Sequence, residues 1–430
     1  MVNSLSDWLK YLESLHPKGP DGIELGLSRV ARVKAELRQR QTCPVIIVGG
    51  TNGKGSTCAF LEGIYGIDYR VGCYTSPHLL RYNDRIRISG LPVDDDILCA
   101  AFARVDAARQ AAGDVALTYF EFGTLAAWEV FAAEGAEVII LEVGLGGRLD
   151  AVNVYDADVA IVTGVALDHT YWLGPDRESI GFEKAGIYRH GRPAICADTN
   201  PPQTLLTHAR SIGARLRLIG RDFGVTHSPG EGEWSYWSCR KTRRWTLWDG
   251  LPTPSLTGAY QFRNAAAALA AVDALRDRLS VSDPAIGHAL RNVHLKGRFQ
   301  RIRECPALVL DVAHNPQAVA CLADNLDAMG AFRRTFAVVG MLADKDIAGA
   351  LRALAGRIDV WLLAGLDVPR GATAATLMAV VNAEKPGDQV ECFASPAEAL
   401  GRAMSLAEEN DRIIAFGSFH TVAAVLREIG

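Results

Sequence analysis

One lysine stands alone in the glycine-rich stretch GGTNGKGST over 49–57, directly after the apolar run Val45–Val48. A glycine turn at the end of a buried strand can aim several backbone N–H groups at one anion. The helix that follows, expected from near Ser56, adds its unpaired donors and the positive end of its dipole. Gly50, Thr51, Asn52, Gly53, Lys54, Gly55 and Ser56 therefore read as a phosphate cradle, with Lys54 reaching the outer phosphates as a point charge. The spacing departs from the strict G-x-x-x-x-G-K-[ST] loop, because Val48 replaces the first glycine and Gly55 stands at the hydroxyl position after the lysine. A hydroxyl for magnesium must come from elsewhere.

Other chemistry-bearing residues follow apolar runs in the same manner. Glu142 closes Val138–Leu141, where a carboxylate can hold Mg²⁺ directly or through water; a solvated strand-end glutamate is the plain alternative. Ser76, in Thr75-Ser76-Pro77-His78, offers the missing hydroxyl or is an ordinary turn serine. His169, in Asp168-His169-Thr170, is either a hydrogen-bonded loop histidine or a metal ligand, unusual for Mg²⁺ but good for Mn²⁺, which points to a second, less strictly oxygen-bound position. Lys184, late in a helix from about Asp176, is most simply a cation offsetting the helix dipole. Asn315 and Pro316 make a helix start, which leaves Asp311 and His314 unexplained by capping and placed to meet a ribose or base. Arg298 can close its guanidinium over phosphates.

The elements that must hold these residues alternate between strand and helix. Apolar runs recur at Val71–Tyr74, Val138–Leu141, Val159–Val162 and Ala194–Cys196, with helices such as Ile97–Ala111 between, which predicts a doubly wound, mostly parallel sheet. A Trp- and Tyr-rich pair of runs from Glu233 to Asp249, turning at Arg240-Lys241-Thr242, predicts an antiparallel hairpin, and 260–278 predicts an alanine-rich helix. A second rhythm follows, with strands Ala307–Asp311, Thr335–Gly340, Asp359–Leu363, Gln389–Phe393 and Arg412–Phe416. The expected fold is α/β: a P-loop domain over 1–296 and a smaller Rossmann-like α/β domain over 297–430, with the site in the cleft between them.

Composition narrows the class of function. A chain of 430 residues with 45 Lys+Arg against 49 Asp+Glu has a formal charge of −4 and no long basic block, which argues against nucleic acid or an anionic membrane as partner. Nine cysteines without a C-x-x-C pair suit a reduced cytoplasmic setting with no disulfides. Leu5, Trp8, Leu9, Leu12 and Leu15 trace one face of an N-terminal helix rather than a signal peptide, and no uncharged run is long enough for a membrane span.

GTNGKGS, YTSPHL, ILEVGLGGRLDA, ALDHT, EKAG, LKGRFQ, DVAHNP, MLADKD and GSFHTVA occur in this order across nearly the whole chain. Together they closely resemble the bifunctional dihydrofolate synthase/folylpolyglutamate synthase family of Mur-ligase-like, ATP-dependent amino-acid ligases. The resemblance implies ATP bound through Gly50–Ser56, Asn264, Arg298 and Asp311, and Mg²⁺, at two sites, held by Ser76, Glu142, His169 and an N-carboxylated Lys184. It also implies catalytic roles for Lys54, His169, Lys184, Arg298 and His314, and acceptor contacts at Ile23, Glu24, Leu25, Thr118, Tyr119, Phe120, Glu121, Leu149, Asp150 and Ala151. The implied partners are dihydropteroate, reduced folates and L-glutamate, on a monomer. Departures from the family's pattern include Asp68 where a helix-ending glycine is expected, Val152 for threonine, Tyr171 for an acidic residue and Glu24 for aspartate. A folylpolyglutamate synthase with one activity, a cell-wall amino-acid ligase and an ATP-sensing module are the rival readings.

Overall fold

The computed structural model describes residues 4–19, 22–227, 232–240, 243–384 and 387–430; Lys241 and Thr242 of the expected turn lie outside them. Two compact units result: residues up to Ser255 with Phe262–Val293, and Leu256–Gln261 with His294–Gly430.

The first unit is built on an eight-stranded sheet. Its strands are β1 (Val45–Gly49), β2 (Val71–Tyr74), β3 (Ile86–Ile88), β4 (Leu91–Pro92), β5 (Val138–Glu142), β6 (Val159–Val162), β7 (Pro193–Cys196) and β8 (Arg215–Leu218), in the order β4-β3-β2-β5-β1-β6-β7-β8. All pairings from β2 to β8 are parallel, and β3 and β4 extend the sheet antiparallel. Every residue of β1, β2, β5, β6 and β7 is buried, as expected of strands covered on both faces. Each fully buried Val, Ile or Leu side chain is worth about 1.5–3 kcal/mol. A carboxylate buried on the same strands is a cost that must be met by partners.

Helices cover both faces. Tyr119–Ala133 starts with a reciprocal cap, in which Glu121 N donates to Thr118 Oγ1 (3.2 Å) and Thr118 N to Glu121 Oε2 (2.8 Å). The N-terminal helix Leu5–Leu15 buries Leu5, Trp8 and Leu12 and is capped by Ser4. A separate antiparallel sheet holds β9 (Phe223–His227), β10 (Glu233–Arg240) and β11 (Arg243–Pro252), so the expected hairpin gains a third strand. The alanine-rich helix runs Ala259–Leu275.

The second unit carries β12 (Gln300–Glu304), β13 (Ala307–Asp311), β14 (Thr335–Val339), β15 (Val360–Ala364), β16 (Gln389–Phe393) and β17 (Arg412–Phe416) in the order β12-β13-β17-β14-β15-β16. Only β12 is antiparallel. All nine cysteines are free thiols, and among the described residues no helix is long and apolar enough to cross a membrane.

Candidate active site

The glycine turn follows β1, and its glycines are required by close approach. A Cβ on Gly50 (φ +141°) would stand 1.9 Å from Thr163 Oγ1, and one on Gly53 (φ +90°) would stand 2.5 Å from Asn264 Oδ1. Thr163 donates to Asn52 O at 2.7 Å, and Thr51 N donates to Gly164 O at 2.8 Å, so the loop after β6 braces the loop after β1. The helix begins at Lys54, two residues before the expected Ser56, because Gly53 makes the turn in a left-handed conformation. It ends at Tyr65, where Gly66 donates to Glu62 O, so a glycine does terminate it ahead of Asp68. Lys54 Nζ donates to Gly50 O (3.1 Å) and Thr51 O (3.2 Å), which holds its ammonium over the loop. Gly55 and Ser56 lie in the first helical turn, with Ser56 buried.

Four strands lying side by side, β2, β5, β1 and β6, send their following loops to this same edge of the sheet. Glu142 ends β5 and is 4% exposed, which removes the solvated alternative; its Oε2 accepts Ser76 N at 3.0 Å. His169, after β6, has φ +51° and donates its N–H to Asp168 Oδ1 at 2.8 Å, with Nε2 3.9 Å from the same carboxylate oxygen.

Lys184 lies in the helix Arg177–Ala185, entered through an Asp176 cap. This helix is drawn against the loop after β5, where Arg148 N donates to Glu183 O at 2.7 Å and a Cβ on Gly147 would meet Lys184 O at 3.0 Å. Lys184 is therefore buried, not an exposed helix-end cation. Burial first, then the charge of Lys54, lowers its pKa to about 7 against the opposing pull of Asp168 and Asp150. Asp150 is pushed up to about 7 by burial, although its carboxylate accepts Leu145 N (2.8 Å) and Val152 N (3.0 Å) and feels Lys54.

The expected acceptor segments also converge. Arg29 pairs with Glu24 and with Glu121 (2.9 Å), and Gly26 N donates to Leu149 O at 3.1 Å. Segments 23–25, 118–121 and 149–151 thus form one wall. Phe120 stacks on Tyr74 with ring centroids 5.7 Å apart and covers Gly144, whose added Cβ would meet the ring at 2.8 Å. The wall adjoins the Glu142 loop. Asp150, in the third of these segments, is buried and caps the turn Ala151–Val154. No sequence motif includes Arg29 or Thr163. Thr163 carried a signal, since it follows an apolar strand as Glu142 does, whereas nothing in the sequence around Arg29 marks it.

In the second unit, buried Asp311 ends β13 and accepts Phe299 N (2.8 Å) and Ala313 N (2.7 Å). Burial raises its pKa, opposed by the neighbouring Arg298. Arg298 lies over the Phe419 ring at 5.2 Å, and His314 Nδ1 is 2.8 Å from Val312 O. Asn315 caps the next helix, with Pro316 at its first position.

The family model of the Mur ligase, glutamate ligase domain matches residues 297–419. The chain is 45% identical to the dihydrofolate synthase/folylpolyglutamate synthase of Escherichia coli strain K12, over 100% of its own length and 96% of the relative's. It belongs to the dihydrofolate synthase/folylpolyglutamate synthase family. The fold agrees: the structure of E. coli FolC in complex with DHPP and ADP superimposes with a TM-score of 0.90 at 44% identity, covering 99% of this chain and 98% of that one. A bifunctional folylpolyglutamate synthase/dihydrofolate synthase solved with Mn, AMPPNP and L-glutamate gives a TM-score of 0.88 at 43% identity, covering 99% and 98%. Membership makes the chain a ligase of the Mur type, on a doubly wound P-loop sheet joined to a smaller α/β unit.

The donor set fits the metal that the family implies. A hydroxyl on Ser76 and a buried carboxylate on Glu142 suit Mg²⁺ or Mn²⁺, an imidazole on His169 suits Mn²⁺ better than Mg²⁺, and the Ser76 backbone N–H already joins Glu142. Among the described residues no three His, Cys, Asp or Glu side chains form a metal-holding group. Such a site would draw its remaining ligands from other oxygens, including the phosphates.

Proposed function

We propose that the chain joins L-glutamate to the carboxylate of dihydropteroate, and further glutamates to reduced folates, by way of an acyl phosphate. Supporting this reading most directly is the gathering of Lys54, Ser76, Glu142, Asp168 and Lys184 at the ends of four adjacent strands, beside a wall made by the acceptor segments. In this reading 1–296 binds ATP and 297–430 is the glutamate-ligase domain. The protein acts in the cytoplasm as a monomer, on small molecules, without nucleic-acid or membrane partners.

A carboxylate must lose its charge before an amine will attack it. One acceptor oxygen attacks the γ-phosphorus of ATP and ADP leaves; the amine of glutamate then attacks the acyl carbon, inorganic phosphate leaves, and an amide with one released proton remains. Gly50–Ser56 bind the phosphates, and Lys54 and Arg298 offset charge as one anion approaches another. Asn264 braces Gly53 and, with Asp311, contacts the nucleotide; His314 acts beside the nucleotide's ribose or base. Ile23–Leu25, Thr118–Glu121 and Leu149–Ala151 orient the acceptor. Bound Mg²⁺, at two positions held by Ser76, Glu142, His169 and N-carboxylated Lys184, would supply charge neutralisation on the triphosphate.

Lys184 suits carboxylation because only a neutral amine adds to carbon dioxide, forming the N–C bond and releasing a proton, and its pKa of about 7 supplies that form. Competition tests a single shared acceptor site: dihydropteroate should inhibit tetrahydrofolate use competitively in initial-rate assays. Independent, non-competing sites would overturn the one-site reading.

A further inference from the structure

Three arginines lie close together in the segment RYNDRIR, and two have carboxylate partners. Arg81 pairs with Asp95 at 3.0 Å and Arg87 with Glu62 at 2.8 Å. Arg85, between them, makes no ion pair with any carboxylate of the described residues. Its one side-chain hydrogen bond runs from Nε to His78 Nδ1 at 2.8 Å. The guanidinium carbon lies 5.2 Å from the Tyr82 ring centroid and 5.5 Å from that of Tyr119, so two aromatic faces and an imidazole fix the plane of a half-buried cation. Both terminal amino groups are without a hydrogen-bond partner among the described residues.

Its place in the fold is equally specific. Thr75 N donates to Arg85 O at 2.8 Å, which sets Arg85 beside Ser76 and hence beside Glu142, while Tyr119 belongs to the acceptor wall. A held guanidinium with two open amino groups, between the acceptor wall and the phosphate end, is built for a carboxylate taken by a planar fork. The two acceptor classes differ in this group: dihydropteroate ends in the one carboxylate that reacts, whereas a folate already carrying glutamate ends in two, of which one reacts.

We propose that Arg85 binds the non-reacting carboxylate of the acceptor's terminal glutamate, and so is a specificity residue for polyglutamylation over dihydrofolate synthesis. This rests on the folate-ligase reading above. Neutralising that carboxylate also lessens its repulsion of the triphosphate.

The test measures KM and kcat of the full chain, with saturating ATP and L-glutamate, for dihydropteroate and for tetrahydrofolate, in wild type, Arg85→Gln and Arg85→Lys. Arg85→Gln should raise KM for tetrahydrofolate about tenfold or more while the KM for dihydropteroate moves less than about twofold, and Arg85→Lys should recover part of the loss. Equal rises for both acceptors, as from a distorted wall or from contact with the reacting carboxylate, would overturn the assignment, as would no rise for tetrahydrofolate. Wild-type turnover of neither acceptor would overturn the ligase reading instead. Calorimetric titration of the ADP-loaded protein with tetrahydrofolate reads Arg85 without turnover, and an unchanged Kd in Arg85→Gln would refute its role.

Discussion

Buried among Lys54, Asp150 and Asp168, Lys184 holds its proton far less firmly than an ordinary lysine. The sign of the resulting pH dependence follows. Its pKa is depressed from 10.5 to about 7, so the neutral amine that adds carbon dioxide predominates above pH 7 and the ammonium below it. Enzyme stripped of carbon dioxide should regain activity on adding bicarbonate at pH 8 and regain little at pH 6, and Lys184→Ala should be partly rescued by small carboxylates. Activity indifferent to bicarbonate at both pH values, with a bare Nζ in density at full metal occupancy, would count against carboxylation. Lys54 makes the simpler case, since among the described residues its ammonium bonds only loop carbonyls. Lys54→Ala should lower kcat about a hundredfold or more with little change in melting temperature. Near-normal turnover in a folded variant would reject the cradle.

Among the elements, the glycine turn is held from two sides, by Thr163 after β6 and by Asn264 on the helix Ala259–Leu275. Gly53→Ala would place a methyl 2.5 Å from Asn264 Oδ1 at a φ of +90°, a strain of about 1–3 kcal/mol. ADP affinity measured by calorimetry should fall about tenfold or more; an unchanged Kd would show that Asn264 does not brace the loop. Phe120→Ala, which removes the ring over Gly144, should shift the ratio of the two activities, and equal losses would argue against a distinct acceptor contact there. The strands bearing these loops were legible because Val45–Val48 or Val138–Leu141, buried on both faces, must be apolar throughout. β8, with the sequence RLRL, escaped notice because it is a short edge strand whose arginines interrupt the run. A metal-side role for Lys184 and a nucleotide contact for Asn264 come from resemblance alone. Their burial and neighbours depend on folding partners distant in sequence, which no local pattern encodes. Arg29 shows the same limit, as its two carboxylates come from separate segments.

For the whole molecule, the proposed cradle is one turn, the one that bears Lys54, and one pair, Ser76 with Glu142, joins the ends of β2 and β5. Both reactions must then draw on the same triphosphate. Glu142→Ala should abolish dihydrofolate synthesis and polyglutamylation together, and survival of either would require a second metal-bound site. The most direct test of the account is release of inorganic phosphate by the wild-type chain with ATP, Mg²⁺ and L-glutamate, compared across dihydropteroate, tetrahydrofolate and no acceptor. Glutamate-dependent release is expected with each acceptor and only background without one. Release that is independent of acceptor, or none with dihydropteroate, would contradict it.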